Sequence, residues 1–217
     1  MDGKVLVISD THLTTKFNPK KFELLRGLIN SCDQVVINGD FYEGFVINFS
    51  QFVTSPWQQL FPILKQKKAI YLPGNHEKNL PDHGYEQFCD QVMEKYEFEQ
   101  NGVTFHVFHG HGVDRTFDVR NPNFPRFISG VVSRSEKIVC AVFGRRYTKI
   151  YKYENQILKR WKLKNLPLND WLICGHTHLA ELDETARFAN SGLFLSEKLA
   201  SYLTIENGKI DLHYIDG

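Results

Sequence analysis

Short β-branched runs and stretches of helical spacing alternate along the front half of the chain. Lys4-Val5-Leu6-Val7-Ile8-Ser9 is apolar and β-rich, which predicts a buried parallel strand. Phe22, Leu25, Leu28 and Ile29 share one helical face and predict a helix over Lys20 to Ile29. Gln34 to Asn38 and Ala69 to Leu72 repeat the strand signature. Between them, Ser55-Pro56 reads as an N-cap followed by Pro at N1, opening a helix that runs to Lys65 with a kink at Pro62. Residues 84 to 95 read as a further helix and Val103 to Phe108 as a strand. In the rear half Trp171 to Gly175, Ala186 to Asn190, Ser201 to Ile205 and Lys209 to Tyr214 predict strands. Asn207-Gly208 is the two-residue turn expected between the last two.

The resulting expectation is an α/β domain in which β-α-β units supply half the sheet and a late β-meander completes it. With 217 residues the chain fits one domain, since single cores commonly run to about 250 residues. The four cysteines (Cys32, Cys89, Cys140 and Cys174) are scattered and predict free thiols in a reducing, cytoplasmic setting. The start of the sequence lacks the pattern of a signal peptide, and no apolar stretch approaches 18 residues, so no transmembrane segment is expected.

Net charge changes the picture only when it is divided. The chain as a whole carries +1, yet residues 115 to 164 hold 13 Lys or Arg against Asp118, Glu136 and Glu154, a local balance of +10. Such a block expects an anion or an anionic surface. Phe127, Ile128, Val131, Val132, Ile138, Val139, Val142 and Phe143 recur at helical spacings within it, and Ile150, Tyr153, Ile157, Leu158 and Trp161 fall on one side of a later piece. A helical insertion over about 115–164 is therefore predicted. Its apolar face either packs on the domain or forms a cap that receives a lipid or membrane surface, with Arg115, Arg120, Arg126 and Arg134 as candidate substrate-binding cations.

The chemistry concentrates where strands end. Asp10-Thr11-His12 follows the first, Gly39-Asp40 the second, Pro73-Gly74-Asn75-His76-Glu77 the third, His109-Gly110-His111 the fourth and Cys174-Gly175-His176-Thr177-His178 the fifth. Side chains two apart in extended chain share a face, and open α/β sheets bind ligands beyond the carboxyl ends of their strands. Carboxylates, an amide oxygen and imidazoles together suit Mn, Fe or Zn. Asp10, His12, Asp40, Asn75, His76, His109, His176 and His178 offer too many groups for one tetrahedral ion and suit two. Taken singly, Asp40 could be a cap and Asn75 a turn residue. His83, His106 and His213 have no motif around them and read as structural or surface residues, while His111 could line the pocket.

D-x-H, G-D, G-N-H-E, H-G and G-H-T-H in this order resemble the calcineurin-like metallophosphoesterase family, from Asp10 to His178. The resemblance implies a layered β-sandwich flanked by helices, with the helical insertion as a cap. It implies one ion on Asp10, His12, Asp40 and His178, and a second on Asp40, Asn75, His109 and His176, so that Asp40 bridges and His176 and His178 serve different ions. His76 takes the place of the family's catalytic histidine. Mn leads as the expected metal, with Fe or Zn as alternatives. The implied reaction is hydrolysis of a phosphomonoester or phosphodiester by a hydroxide bridging the two metals. The insertion and Gly39-Asp40-Phe41-Tyr42-Glu43 are also similar to the branch that includes UDP-2,3-diacylglucosamine pyrophosphatase. That branch carries Arg where this chain has His76, which favours a general phosphoesterase. The alternatives are that lipid-sugar hydrolase, a nuclease stacking bases on Tyr147, Tyr151, Tyr153 and Trp161, and a non-catalytic scaffold. Expected partners are a phosphorylated substrate, lipid-linked or nucleotide, and a peripheral membrane contact through the basic insertion.

Overall fold

Alternate residues of each central strand enter different cores, and that alternation stacks the layers. The structure is a computed structural model that describes residues 3–77, 83–113 and 145–216. Its strands are β1 (Val5–Ile8), β2 (Gln34–Asn38), β3 (Ile70–Leu72), β4 (Gln91–Val92), β5 (Tyr96–Gln100), β6 (Val103–Val107), β7 (Trp171–Cys174), β8 (Glu181–Asp183), β9 (Phe188–Asn190), β10 (Phe194–Ser196), β11 (Leu199–Glu206) and β12 (Lys209–Asp216). The helices are α1 (Pro19–Asn30), α2 (Phe49–Val53), α3 (Phe61–Gln66), α4 (Arg145–Thr148) and α5 (Lys152–Asn165).

In the first sheet β1, β2, β3 and β4 lie parallel in that order, and β1 pairs antiparallel with β11. Strand β12 takes the opposite edge of β11 along its whole length, so the late meander is part of this sheet. The turn between them has both Asn207 and Gly208 at positive φ (54° and 79°), as a tight two-residue hairpin demands. The second sheet runs β5-β6-β7-β9-β8, with β6, β7 and β9 parallel. Val5, Val7, Val36, Ile70 and Leu72 of the first sheet meet Phe98, Phe105, Val107, Trp171 and Ile173 of the second in a central core. The intervening residues Leu6, Ile8, Val35 and Ile37 face outward onto Phe22, Leu25, Phe52 and Phe61 of the three early helices. On the far side Leu172, Cys174 and Phe188 pack against Leu158 of α5. The architecture is thus an α/β sandwich of two sheets with helices on both outer faces, in keeping with the layered fold expected.

Four local expectations change. Residues 84–95 do not form a helix: a 3-10 turn at Tyr85–Gln87 gives way to β4, because the amides of Asp90 and Met93 bond to Ala69 O and Tyr71 O at the sheet edge. β5, a stretch for which no element was expected, follows directly, with Tyr96, Phe98 and Gln100 turned inward between Glu97 and Glu99. The stretch from Pro56 begins as a 3-10 helix (Pro56–Leu60), and the Ser55 hydroxyl donates back to Phe52 O instead of capping. Pro62 then sits in the first turn of α3, where no intrahelical N–H is needed.

Residues 114–144, including Arg115, Arg120, Arg126 and Arg134, lie outside the described residues. From residue 145 the expected insertion is helical, but its buried face differs from the one predicted. Ile150 and Tyr153 are 62% and 63% exposed, whereas α5 buries Glu154, Asn155, Leu158, Lys159 and Lys162. A 3-10 turn (Lys149–Tyr151) breaks the helical register between the two pieces, and Glu181 and Asp183 of β8 receive the buried Lys159.

Candidate metal centre

Five residues at strand ends adopt left-handed backbone that non-glycine residues seldom use: Asp10 (φ 51°), His12 (45°), Asp40 (51°), His176 (68°) and His178 (60°). Asp and His tolerate this region better than most, and such backbone gathers at functional sites where the surroundings over-determine it. Here the surroundings are explicit. His12 N and Leu13 N donate to Asp40 O and Phe41 O, so the chain past β1 stays paired to the chain past β2. Gly175 N donates to His109 O, tying the turn after β7 to that after β6. In both i, i+2 pairs the central residue is a buried threonine turned into the scaffold. Thr11 donates to Phe41 O (2.6 Å) and Thr177 to Asn155 Oδ1 (2.7 Å).

The flanking side chains gather in two adjoining clusters. In the first, Asp10 Oδ1 is 3.3 Å from His178 Nε2 and 4.0 Å from His12 Nε2, and the two Nε2 atoms are 3.2 Å apart. In the second, His109 Nε2 is 3.3 Å from Asp40 Oδ2 and 3.2 Å from Asn75 Oδ1, which lies 2.9 Å from His176 Nδ1. Donor atoms of Asp10, Asp40 and His109 all fall within 4.8 Å of one another and join the clusters. His178 therefore lies in the first cluster and His176 in the second. The donor set fits divalent cations. Asp10 Oδ1 is buried without a hydrogen bond, facing two imidazole nitrogens. His109 Nδ1 must carry a proton to bond Asn38 O (2.7 Å), which points Nε2 at the oxygens of Asp40 and Asn75.

Burial and charge work against each other here. Burial raises the Asp10 and Asp40 carboxyls, but facing imidazoles outweigh it: His178 and His109 hold Asp10 below its ordinary range, and His76 and His109 hold Asp40 well below. Burial lowers His109, yet Asp40 pushes it up to about 9. His176 is driven down to about 3 by burial and by the charge of His109. His12 is lowered by burial and by His76. For His76 burial again lowers, but Asp40 and then Glu43 dominate and raise it.

Two carboxylates escaped the sequence reading. Glu43 Oε1 takes a hydrogen bond from His76 Nδ1 at 2.6 Å, and its Oε2 lies 3.3 Å from His12 Nδ1. His76 Nε2 then sits 3.7 Å from Asp40 Oδ2. Glu77 accepts the backbone N–H groups of Gly74 (2.7 Å), Asp40 (2.9 Å) and Tyr42 (3.1 Å), which locks the turn after β3 onto that after β2. The only sequence signal for either was an acid just past G-D or closing G-N-H-E. His111 has its ring 5.5 Å from His109 and 6.3 Å from His176, beside the second cluster. His106 lies apart, between Glu97 (3.0 Å) and Asp170 (2.9 Å). His213 stacks on Tyr202 and bonds Thr204, and His83 is exposed.

Among solved structures, an archaeal phosphodiesterase is similar at 14% identity over 98% of this chain and 99% of its own, with a TM-score of 0.53. The phosphoesterase YfcE of E. coli matches at 16% identity over 98% and 100%, with a TM-score of 0.50. Vacuolar Protein Sorting 29 of Cryptosporidium parvum matches at 15% over 99% and 97%, also at 0.50. At these identities the likeness shows the fold alone. No curated protein matches the chain. The family model of calcineurin-like phosphoesterases matches residues 3–180, and with it the chain belongs to that family.

Proposed function

We propose that this chain is a phosphoesterase that depends on two divalent ions and hydrolyses phosphomonoesters or phosphodiesters. The observation that carries the reading is the convergence of two nitrogen–oxygen clusters that adjoin through Asp10 and Asp40. Asp10, His12, Asp40 and His178 would hold one ion and Asp40, Asn75, His109 and His176 the other, with Asp40 shared. Mn suits this mixed donor set, with Fe and Zn as alternatives. Bound divalent ions supply Lewis acidity toward a phosphoryl group and a nucleophilic water near neutral pH.

The protein's own residues supply orientation and a proton. Low carboxyl pKa values keep Asp10 and Asp40 ionised across the neutral range. The bond from His76 Nδ1 to Glu43 fixes the ring so that Nε2 faces the cluster edge. In its cationic form, favoured by Asp40 and Glu43, His76 donates the Nε2 proton to the leaving oxygen. An alkoxide needs that proton more than a departing phosphate does, which supports ester hydrolysis over the diphosphate cleavage of the UDP-2,3-diacylglucosamine pyrophosphatase branch. The complete donor set with its acid also supports turnover over a scaffold role.

Purified protein is expected to hydrolyse p-nitrophenyl phosphate or bis-p-nitrophenyl phosphate with added Mn²⁺, to lose activity on chelation and to regain it on adding metal. Asp40→Ala should abolish the reaction. Activity that survives both chelation and that substitution would overturn the reading.

A further inference from the structure

The two histidines after β7 are held by a residue of α5, a helix that contributes nothing to either cluster. Asn155 is fully buried and uses both ends of its amide. Its oxygen accepts from Thr177 Oγ1 (2.7 Å) and from Asn190 Nδ2 (3.1 Å). Its nitrogen donates to Leu179 O (3.1 Å) and Glu181 Oε2 (2.8 Å). Thr177 and Leu179 immediately follow His176 and His178, so these bonds grip the chain on both sides of His178. Asn190, at the end of β9, completes the hold by donating to Gly175 O (2.8 Å) and Thr177 Oγ1 (3.0 Å).

The turn needs such a hold. His176 and His178 both have positive φ, a conformation that persists only when the surroundings fix it. The left-handed backbone at both positions turns the rings toward the two clusters, while Thr177 points back to Asn155 of α5. A hydroxyl free to rotate away would release the turn and the separation of the two rings with it. We propose that Asn155 is a positioning residue that sets His176 and His178 for their two ions, so that α5 controls metal affinity from outside the donor set. This rests on the two-ion reading above. Groups that orient metal ligands typically alter affinity by roughly 10- to 100-fold.

The test titrates metal-free protein with Mn²⁺ and follows affinity and stoichiometry by calorimetry, with thermal unfolding in parallel. Asn155→Ala is expected to weaken binding by roughly 10- to 100-fold. Thr177→Val, nearly isosteric, removes the same hydroxyl bond from the other side and guards against a folding failure of the first variant. It should weaken binding likewise, and the double variant should be little worse than Asn155→Ala alone, because that variant already lacks the acceptor of the Thr177 hydroxyl. Lys162→Ala loosens the same helix elsewhere, where Lys162 Nζ bonds Leu168 O (2.8 Å). It should lower the melting temperature and leave Mn²⁺ affinity unchanged. Wild-type affinity in Thr177→Val, or equal weakening in Lys162→Ala, would overturn the positioning role while leaving the two-ion reading standing. A wild-type protein that binds no divalent ion would overturn both.

Discussion

His76 stands between two carboxylates, and both favour its cation. Its raised pKa keeps the proton in place above the ordinary value of 6.5 and releases it only as the pH climbs through the folded value. A general acid in that state predicts an activity that declines on the alkaline side. His76→Ala should lower kcat on an alkyl phosphoester by roughly 10²- to 10⁴-fold, and far less on p-nitrophenyl phosphate, whose leaving group needs little protonation. Steady-state rates on the two substrates decide this, and equal losses would remove the acid role. Glu43→Gln keeps a hydrogen-bond acceptor for Nδ1 but removes a charge that raises the pKa. The alkaline limb of the kcat profile should therefore move to lower pH. A limb that stays in place would show that Glu43 does not set the proton affinity of His76.

At the scale of elements, the site is a set of turns stapled to one another, and the turn after β3 shows how little room they leave. A Cβ on Gly74 would collide with Asp40 Oδ1 and stand 2.6 Å from Asp40 N, in the place where Gly74 N reaches Glu77. Gly74→Ala should displace Asp40, strip the second cluster of metal and cost about 1–3 kcal/mol of stability, the usual range for overpacking. Metal content by elemental analysis, together with denaturant unfolding, checks both. Retention of two ions would contradict the close approach. The same turns explain what the sequence could disclose. D-x-H and H-T-H stood out because each follows closely on a buried strand legible from its apolar run, although the flanking residues are left-handed and not extended as a two-residue period assumes. Glu43, Glu77 and Asn155 were not, since each acts on a segment 22 to 37 residues away through a fold that no local pattern encodes. Helical spacing misled over 84–95, where sheet-edge hydrogen bonds won; over 145–164 it found the helix but not its buried face, where Lys159 pairs with Glu181 and Asp183.

For the whole molecule, opposing histidine shifts make stability a function of both pH and metal. His109 and His76 have raised pKa values, so their contribution is complete below about pH 6.5 and is lost as pH rises, through about 9 for His109. His176 and His12 are lowered and stay neutral while an unfolded chain would take up protons, so stability falls as pH drops below 6.5, toward about 3 for His176. Metal-free protein should thus melt highest near pH 6.5. A cation must displace the proton of His109 to occupy the second cluster, so its affinity should rise with pH through about 9, where His109 gives up that proton. Free ion at 100 times the dissociation constant adds about 2.7 kcal/mol per site, or about 5 to 10 °C for a domain of this size. Melting curves of chelated and Mn²⁺-loaded protein between pH 6.5 and 9 should therefore diverge, with the loaded form holding its Tm while the chelated form declines. Curves that stay parallel would mean that no proton leaves when metal binds, and that His109 does not belong to the donor set.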